Sequence, residues 1–344
     1  MAPVSTLRLD RDYQAATAAY AGIVPPVPNS AASLRKLNNA AITAVMRAFL
    51  CPEASSVEET ILPYQSLDGT PLTLHHFRPR QSEQKPAPPT ARRNNNSSNN
   101  TRPAVLYLHG GGFVSGSVDA FRKDIIRYCA ATGTDFFAPG YRLAPEHPYP
   151  APLDDAYAAL CHVRDRAGEL GIDRARVAVM GISAGGGLAA GLALRCRTEE
   201  MAPPLRKVVL VYPMLDDRTR LVETDPLVPL VTWTDVKNML GWRAYLGRDG
   251  LASTENLVAG EVEEEAAPAR AGKLDGLPPV YLDVGGLDLF KGESVRFVQR
   301  LAEASVDVEF HLYPGVPHAW EWMAPGVEVT KRAVENRVRA LKDV

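Results

Sequence analysis

The sequence is poor in several features that would otherwise narrow its function. Cysteine is scarce: Cys51, Cys129, Cys161 and Cys196 lie far apart in the 344 residues, with no CxxC pair. That spacing argues against a disulfide framework or a thiolate metal site and reads as reduced, mostly buried thiols of a cytoplasmic protein. Net charge is small, with 38 Lys and Arg against 40 Asp and Glu. A balance of −2 implies neither nucleic acid nor an anionic membrane as partner. No apolar run approaches the roughly 20 residues of a membrane-spanning helix. The opening "MAPVSTLRLDRDYQ" has no apolar core of the kind a signal peptide needs. Phosphate-cradling motifs are missing too: there is no GxxxxGK[ST], and no GxGxxG followed by an acidic residue about 20 positions on.

What is present is a regular alternation of short apolar runs and helical stretches. "ETILPYQ" (59–65) and "LTLHHFR" (72–78) read as paired strands around the turn "LDGT". Residues 81–103 are rich in Pro, Asn and Ser without apolar period and read as a disordered surface loop. Strands are then expected at 104–108, 135–139, 176–180, 207–212, 280–284 and 308–313. Between and after them, helices are expected at 118–132, 154–170, 184–198 and 327–342. Gly133 is the expected stop of the first. This order predicts an α/β fold with a mostly parallel sheet covered on both faces. Helix 184–198, apolar all round, belongs at its centre. Residues 10–51, read as helical, and residues 218–273, with a helix near 233–246, stand outside the alternation. Both are expected to cover the C-terminal edge of the sheet.

"VAVMGISAGGG" (177–187) runs from strand to helix through Gly181-Ile182-Ser183-Ala184-Gly185. GxSxG alone is weak, but a strand before it and a helix after it are what a nucleophile elbow requires. A serine hydroxyl needs a base, and the base needs an orienting group. His318, in "YPGVPHAW", is the histidine in a loop just past a late strand. His75, His76, His162 and His311 fall inside strands or helices, and His147 lies in the proline-rich "APEHPYPAP". Asp288 in "DVGGLDLF" falls after Ser183 and before His318, in the chain order this fold uses. Its rival Asp283 falls inside the strand.

Three consecutive glycines, Gly110, Gly111 and Gly112, follow the apolar run and histidine of "VLYLHGGGFVSG" (105–116). Each costs backbone entropy, so something must approach the backbone there. Serine attack on an ester creates an oxyanion that needs preorganised N–H donors. The N–H groups of Gly111, Gly112 and Ala184 are assigned to it, with His109 and Gly110 supporting the loop. Phe113, Met214, Trp233, Trp242, Trp320 and Trp322 are candidate pocket residues. Arg142, Glu146, His147 and Asp155 of "YRLAPEHPYPAPLDD" read as a rigid turn with a structural Arg–carboxylate pair.

Taken together, "HGGGF", "YRLAPEHPYPAPLDDAYAAL", "GISAGGGLA", "YPMLDDRT", "GLPPVYLDVGGLDLF" and "YPGVPHAW" resemble the hormone-sensitive lipase family of α/β-hydrolases over about 57–342. The resemblance implies a serine carboxylesterase with the triad Ser183, Asp288 and His318 and an oxyanion loop at 109–112. It also implies a helical cap from residues 1–56 and 218–273 over a hydrolase domain at 57–342. No metal or cofactor is implied. The substrate is a small-molecule ester, and a homodimer is a state that family members often adopt. Two positions depart from the family pattern. Ile182 precedes the serine where an acidic residue or Thr is common, and Gly292 interrupts D-L-F-R-D-E. Some fungal relatives act in secondary metabolism, a role with which the asparagine-rich loop is compatible. The alternatives carried are amide, formamide or lactone hydrolysis on the same triad, and a non-catalytic ligand receptor on the same fold.

Overall fold

The structure, a computed structural model, describes residues 7–23, 25–80, 101–249 and 261–344. Its centre is a sheet of eight strands: β1 (Val57–Gln65), β2 (Pro71–Pro79), β3 (Arg102–Leu108), β4 (Asp135–Pro139), β5 (Ile172–Ile182), β6 (Val208–Val211), β7 (Val280–Gly285) and β8 (Val308–Tyr313). Their spatial order is β1-β2-β4-β3-β5-β6-β7-β8. Only β2 runs antiparallel to its neighbours, and the other pairs are parallel. The inner strands are apolar on both sides because both faces are covered. Edge strand β1 instead mixes buried Val57 and Tyr64 with exposed residues.

Helices α1 (Arg11–Ala16), α2 (Ala31–Ala48), α3 (Val118–Thr132), α4 (Ala151–Asp165), α5 (Ala167–Leu170), α6 (Ala184–Thr198), α7 (Asp235–Tyr245), α8 (Lys291–Glu303), α9 (Trp320–Met323) and α10 (Glu328–Lys342) complete the described chain. One core joins α4, α6 and α8 to the sheet through Leu160, Leu188, Leu192, Phe297 and Leu301. The other joins α3 and α10 through Phe121, Ile125, Tyr128, Ala333 and Leu341. Helix α2 bridges the two, with Leu34 in the first and Ile42 and Met46 in the second.

All eight expected strands form, and α3 ends at Gly133 in the left-handed region, φ 72°. Three boundaries need correction. The expected helix 154–170 begins at Ala151 with a proline in its first turn and breaks at Arg166 into α4 and α5. The helical reading of 10–51 fails between α1 and α2, where Pro25, Pro26 and Pro28 withhold backbone donors. Of the loop expected at 81–103, residues 81–100 lie outside the described residues, whereas Arg102 and Pro103 already belong to β3. The helix expected near 233–246 forms as α7, the one α-helix among the described residues of 218–273; residues 250–260 lie outside them.

The second core contains a buried charge network. Arg337, fully buried, donates to Asp283 Oδ2 and Oδ1 at 2.6 and 2.9 Å and to Glu321 Oε1 at 2.5 Å. The Tyr281 and Tyr212 hydroxyls donate to Asp283 and Glu321 at 2.9 and 2.8 Å. Burial raises the Asp283 carboxyl, and Arg337 opposes that rise. Removing one member of such a cluster strands charges with no water to solvate them. Arg337→Met is therefore expected to lower stability by about 3–5 kcal/mol. The shift of the urea unfolding midpoint against wild type measures it.

Candidate active site

Strand order reverses at β3, with β4 on one side and β5 on the other. Loops leaving the carboxyl ends of strands at such a point open a crevice. Register fixes what meets there: Leu108 pairs with Gly181, so the chain after Leu108 faces Ile182 and Ser183. A Cβ on Gly110 would stand 3.3 Å from the Ser183 Cβ. The turn between β5 and α6 is equally close. A Cβ on Gly181 would strike the Gly185 carbonyl, and one on Gly185 the carbonyls of Leu108 and His109. Ser183 takes φ 56° and ψ −118°, strained for a residue with a side chain and costing of order 1–3 kcal/mol. Four backbone hydrogen bonds hold it. Its N–H donates to Val211 O at 2.9 Å, and its carbonyl accepts from Gly186, Gly187 and Met214 at 2.8, 3.1 and 3.0 Å.

Loops after β7 and β8 bring the other two residues. Gly285 pairs with Tyr313, and the loops are stitched by Gly286 N–H to Tyr313 O (2.6 Å) and Leu287 N–H to Val316 O (3.0 Å). His318 Nδ1 lies 2.7 Å from Asp288 Oδ2, and its Nε2 lies 2.9 Å from Ser183 Oγ. The carboxylate can only accept, so Nδ1 carries the proton and Nε2 is left to accept from the serine hydroxyl. Asp288 is fully buried, and its other oxygen accepts the Phe290 N–H at 2.9 Å. Tyr212 and Phe290 set ring edges against the imidazole at 4.5 and 5.2 Å. Asp283, the rival acid, is held by Arg337. His76 meets Asp135, His75 meets Glu59 and His311 meets Glu309, while His147 is exposed.

The glycine loop has its own supports. His109 Nδ1–H donates to Gly110 O at 2.8 Å, and the ring stacks on Tyr141 at 4.3 Å, whose hydroxyl donates to His109 O at 2.7 Å. Burial pushes the His109 imidazole down to about 4, so it is neutral at pH 7. Gly111 and Gly112 take φ 134° and 62°. Among the described residues their N–H groups donate to no other protein group. Ala184 opens α6, where an N–H has no partner within the helix.

The pocket candidates separate. Trp233 lies on the glycine loop: a Cβ on Gly112 would strike its indole ring, and that ring is 6.3 Å from His318. Met214 sits beside the serine through its backbone, with its side chain buried. Phe113 and Trp242 are core side chains, stacked and tilted with Tyr245 and each other at 4.0–6.0 Å. Trp320 packs between Tyr212, Tyr313 and Arg337, and Trp322 against Phe121. Arg142 and Asp155 form a multiply hydrogen-bonded pair at 2.7–3.1 Å, joined by Ser66, and have no contact with Ser183.

Several supports were given no role by the sequence, although Glu293 closes the segment compared with D-L-F-R-D-E. Glu293 receives the Leu215 N–H at 2.6 Å and the Thr219 hydroxyl, fastening the loop after β6, and burial raises its carboxyl strongly. Thr232 donates to His318 O at 2.9 Å. Arg35, Asn38 and Asn39 reach the glycine loop from α2. Ile182, one of the two departures, is fully buried in the second core. Two surface cavities of about 270 and 260 Å³ lie away from Ser183, around Cys196 and around Arg296. Among the described residues, no cluster of His, Cys, Asp and Glu could hold a metal ion, and no helix is long and apolar enough to cross a membrane.

Comparison with known proteins identifies the fold and the family. The model of the alpha/beta hydrolase fold family matches residues 105–322. Esterase LipI of Mycobacterium tuberculosis is 34% identical over 249 residues, covering 70% of this chain and 73% of the relative. Carboxylesterase NlhH of the same species is 32% identical over 242 residues, with 70% and 73% covered. The solved structure of a bacterial heroin esterase superposes with a TM-score of 0.79 at 32% identity, covering 97% of each chain. The fold is thus that of an α/β-hydrolase. Within that class, the chain belongs to the hormone-sensitive lipase family of carboxylesterases.

The neutral, buried His109 has a consequence for acid stability. Its unfolded-state value is near 6.5 and its folded value about 4, so the unfolded chain binds the extra proton between them. The stabilisation is complete above about pH 6.5 and is lost as pH falls through 4, amounting to on the order of 3 kcal/mol. His109→Asn, which keeps a donor near Nδ1, is expected to flatten the fall of the urea midpoint between pH 6.5 and 4. An unchanged slope would assign the acid limb to other groups.

Proposed function

We propose that the chain is a serine carboxylesterase hydrolysing small to medium acyl esters. The observation that carries this reading is the unbroken hydrogen-bonded chain Asp288–His318–Ser183 beside three glycines. His318 Nε2 takes the proton of Ser183 Oγ as Oγ bonds to the ester carbonyl carbon. Asp288 holds the ring in the correct tautomer and stabilises the imidazolium that results. The N–H groups of Gly111, Gly112 and Ala184 meet the oxyanion, each lowering the barrier by about 3 kcal/mol. Collapse expels the alcohol, which takes its proton from His318. Water then attacks the acyl-enzyme by the same route and restores the serine. No step calls for a metal or cofactor.

Substrate size follows from the surroundings of the serine. Ser183 is 6% exposed, and Trp233 lies over Gly112. Segment 232–245 and α2 are the parts of the chain that we assign to the cap. A small acyl group suits that enclosure. The relatives named esterase and carboxylesterase support the same reaction. None of those names carries a secondary-metabolite role, and none is proposed. Occupation of all three positions, with hydrogen bonds between them, favours catalysis over a receptor role.

Hydrolysis of p-nitrophenyl acetate, butyrate, octanoate and palmitate tests the proposal. Turnover of the acetate and butyrate is expected, declining with chain length. Ser183→Ala should lower kcat by on the order of 10⁶-fold and Asp288→Asn by about 10⁴-fold. Folded wild type with no turnover of any of the four esters would overturn the reading.

A further inference from the structure

The glycine loop is gripped from outside by one face of α2. Arg35 Nε donates to Val114 O at 2.6 Å, and its terminal nitrogens reach Ala144 O (2.6 Å) and the Glu146 carboxylate (2.8 and 2.5 Å). Asn39 Oδ1 accepts the Gly116 N–H at 2.9 Å. Between them, Asn38 Nδ2 donates to Ser115 Oγ at 2.6 Å, and Ser115 Oγ donates to Gly111 O at 2.6 Å. Residues 35, 38 and 39 stand at the i, i+3 and i+4 spacing that shares one helix face. Gly111 O also accepts the N–H groups of Val114 and Ser115 at 3.3 and 3.1 Å.

That carbonyl belongs to the same peptide plane as the Gly112 N–H. In a trans peptide the C=O and the following N–H point in opposite directions. Drawing Gly111 O toward Ser115 therefore turns the Gly112 N–H to the opposite side of the loop. A glycine on each side of this peptide makes rotation of the plane sterically cheap, so something other than side-chain bulk must hold it. We propose that Asn38 and Ser115 are positioning residues that lock the Gly111–Gly112 peptide plane and thereby aim the Gly112 N–H at the developing oxyanion. The proposal rests on the reading of the glycine loop as an oxyanion hole. It gives α2 a part in the chemistry beyond covering the site. Ser115 has one proton, and Asn38 leaves that proton to Gly111 by occupying the hydroxyl oxygen as a donor.

Ser115→Ala, Asn38→Ala and Asn38→Asp separate this role from general support of the fold. In Asn38→Asp a carboxylate replaces the donor and competes with Gly111 O for the serine proton. Each variant is assayed on p-nitrophenyl acetate beside wild type and Ser183→Ala, with folding followed by circular dichroism. Affinity for an aryl trifluoromethyl ketone, whose serine adduct carries the oxyanion, is measured in parallel. The expected result is a kcat loss of between about tenfold and 10²-fold, smaller than deletion of a donor outright. KM should stay within about twofold, and ketone affinity should fall in step with kcat/KM. Asn38→Asp should be worse than Asn38→Ala. If wild type is active, Ser183→Ala is inactive and both Ser115→Ala and Asn38→Asp keep kcat within twofold, the peptide lock is wrong and the esterase reading stands. A loss confined to KM also overturns it. Should Ser115→Ala not fold, Asn38→Asp, at a half-exposed position, decides alone. Wild-type turnover equal to that of Ser183→Ala would remove the esterase reading and the lock together.

Discussion

The site depends on one close approach between bare backbones. Where β3 and β5 end side by side, Gly185 lies against the carbonyls of Leu108 and His109, and Gly181 against the carbonyl of Gly185. No side chain fits at either glycine, and without that approach the turn could not close tightly enough to force Ser183 to φ 56°. The same contact sets Gly110 against the serine, so Ser183 and the glycine loop are positioned by a single constraint. Strand pairing supplies the rest. Parallel neighbours β7 and β8 end level with each other, and the loops beyond them bring Asp288 and His318 to the same edge.

Around this edge the protein uses buried polar groups in two ways. Arg337, Asp283 and Glu321 form a closed network in the second core, and through Tyr212 it braces the His318 imidazole. Glu293 fastens the loop after β6. His109, by contrast, is kept uncharged and works as a donor and a stacking surface. Arg337 is paired with Asp283 and Glu321, while burial raises the Glu293 carboxyl and leaves the imidazole beneath the glycines neutral. Burial penalises a charge far more than a satisfied neutral group, and the division between these residues follows that rule.

Most of the fold was legible because inner parallel strands are short apolar runs with turn signals on both sides, as in "RVAVM" and "VYLDV". Ser183, His318 and Asp288 could be singled out because each falls in a loop just after a strand, where the chain order of the fold needs it. Helix α8, absent from the expected elements, buries Ser294, Phe297 and Leu301 at helical spacing, and it begins directly after the loop that carries Asp288, with no turn signal between them. The prolines between α1 and α2 were there to be read as breakers and were not. Other features had no local signal at all. Nothing in "SLRKLNNAA" says that Arg35, Asn38 and Asn39 face a loop more than 70 positions on. Trp233, Trp242 and Trp320 look alike in sequence, yet only the first lies over the glycines, because that difference is made by tertiary packing.

The four hydrogen bonds on the Ser183 backbone carry a further consequence. They involve the main chain alone, and so does the glycine contact that imposes the turn. The strained conformation is therefore a property of the position, independent of the hydroxyl. A residue with a different short side chain would inherit the same enclosed perch, the same imidazole and the same facing glycine loop. In design terms, position 183 is a socket: the framework specifies where a reactive atom stands, and the side chain specifies only which atom it is.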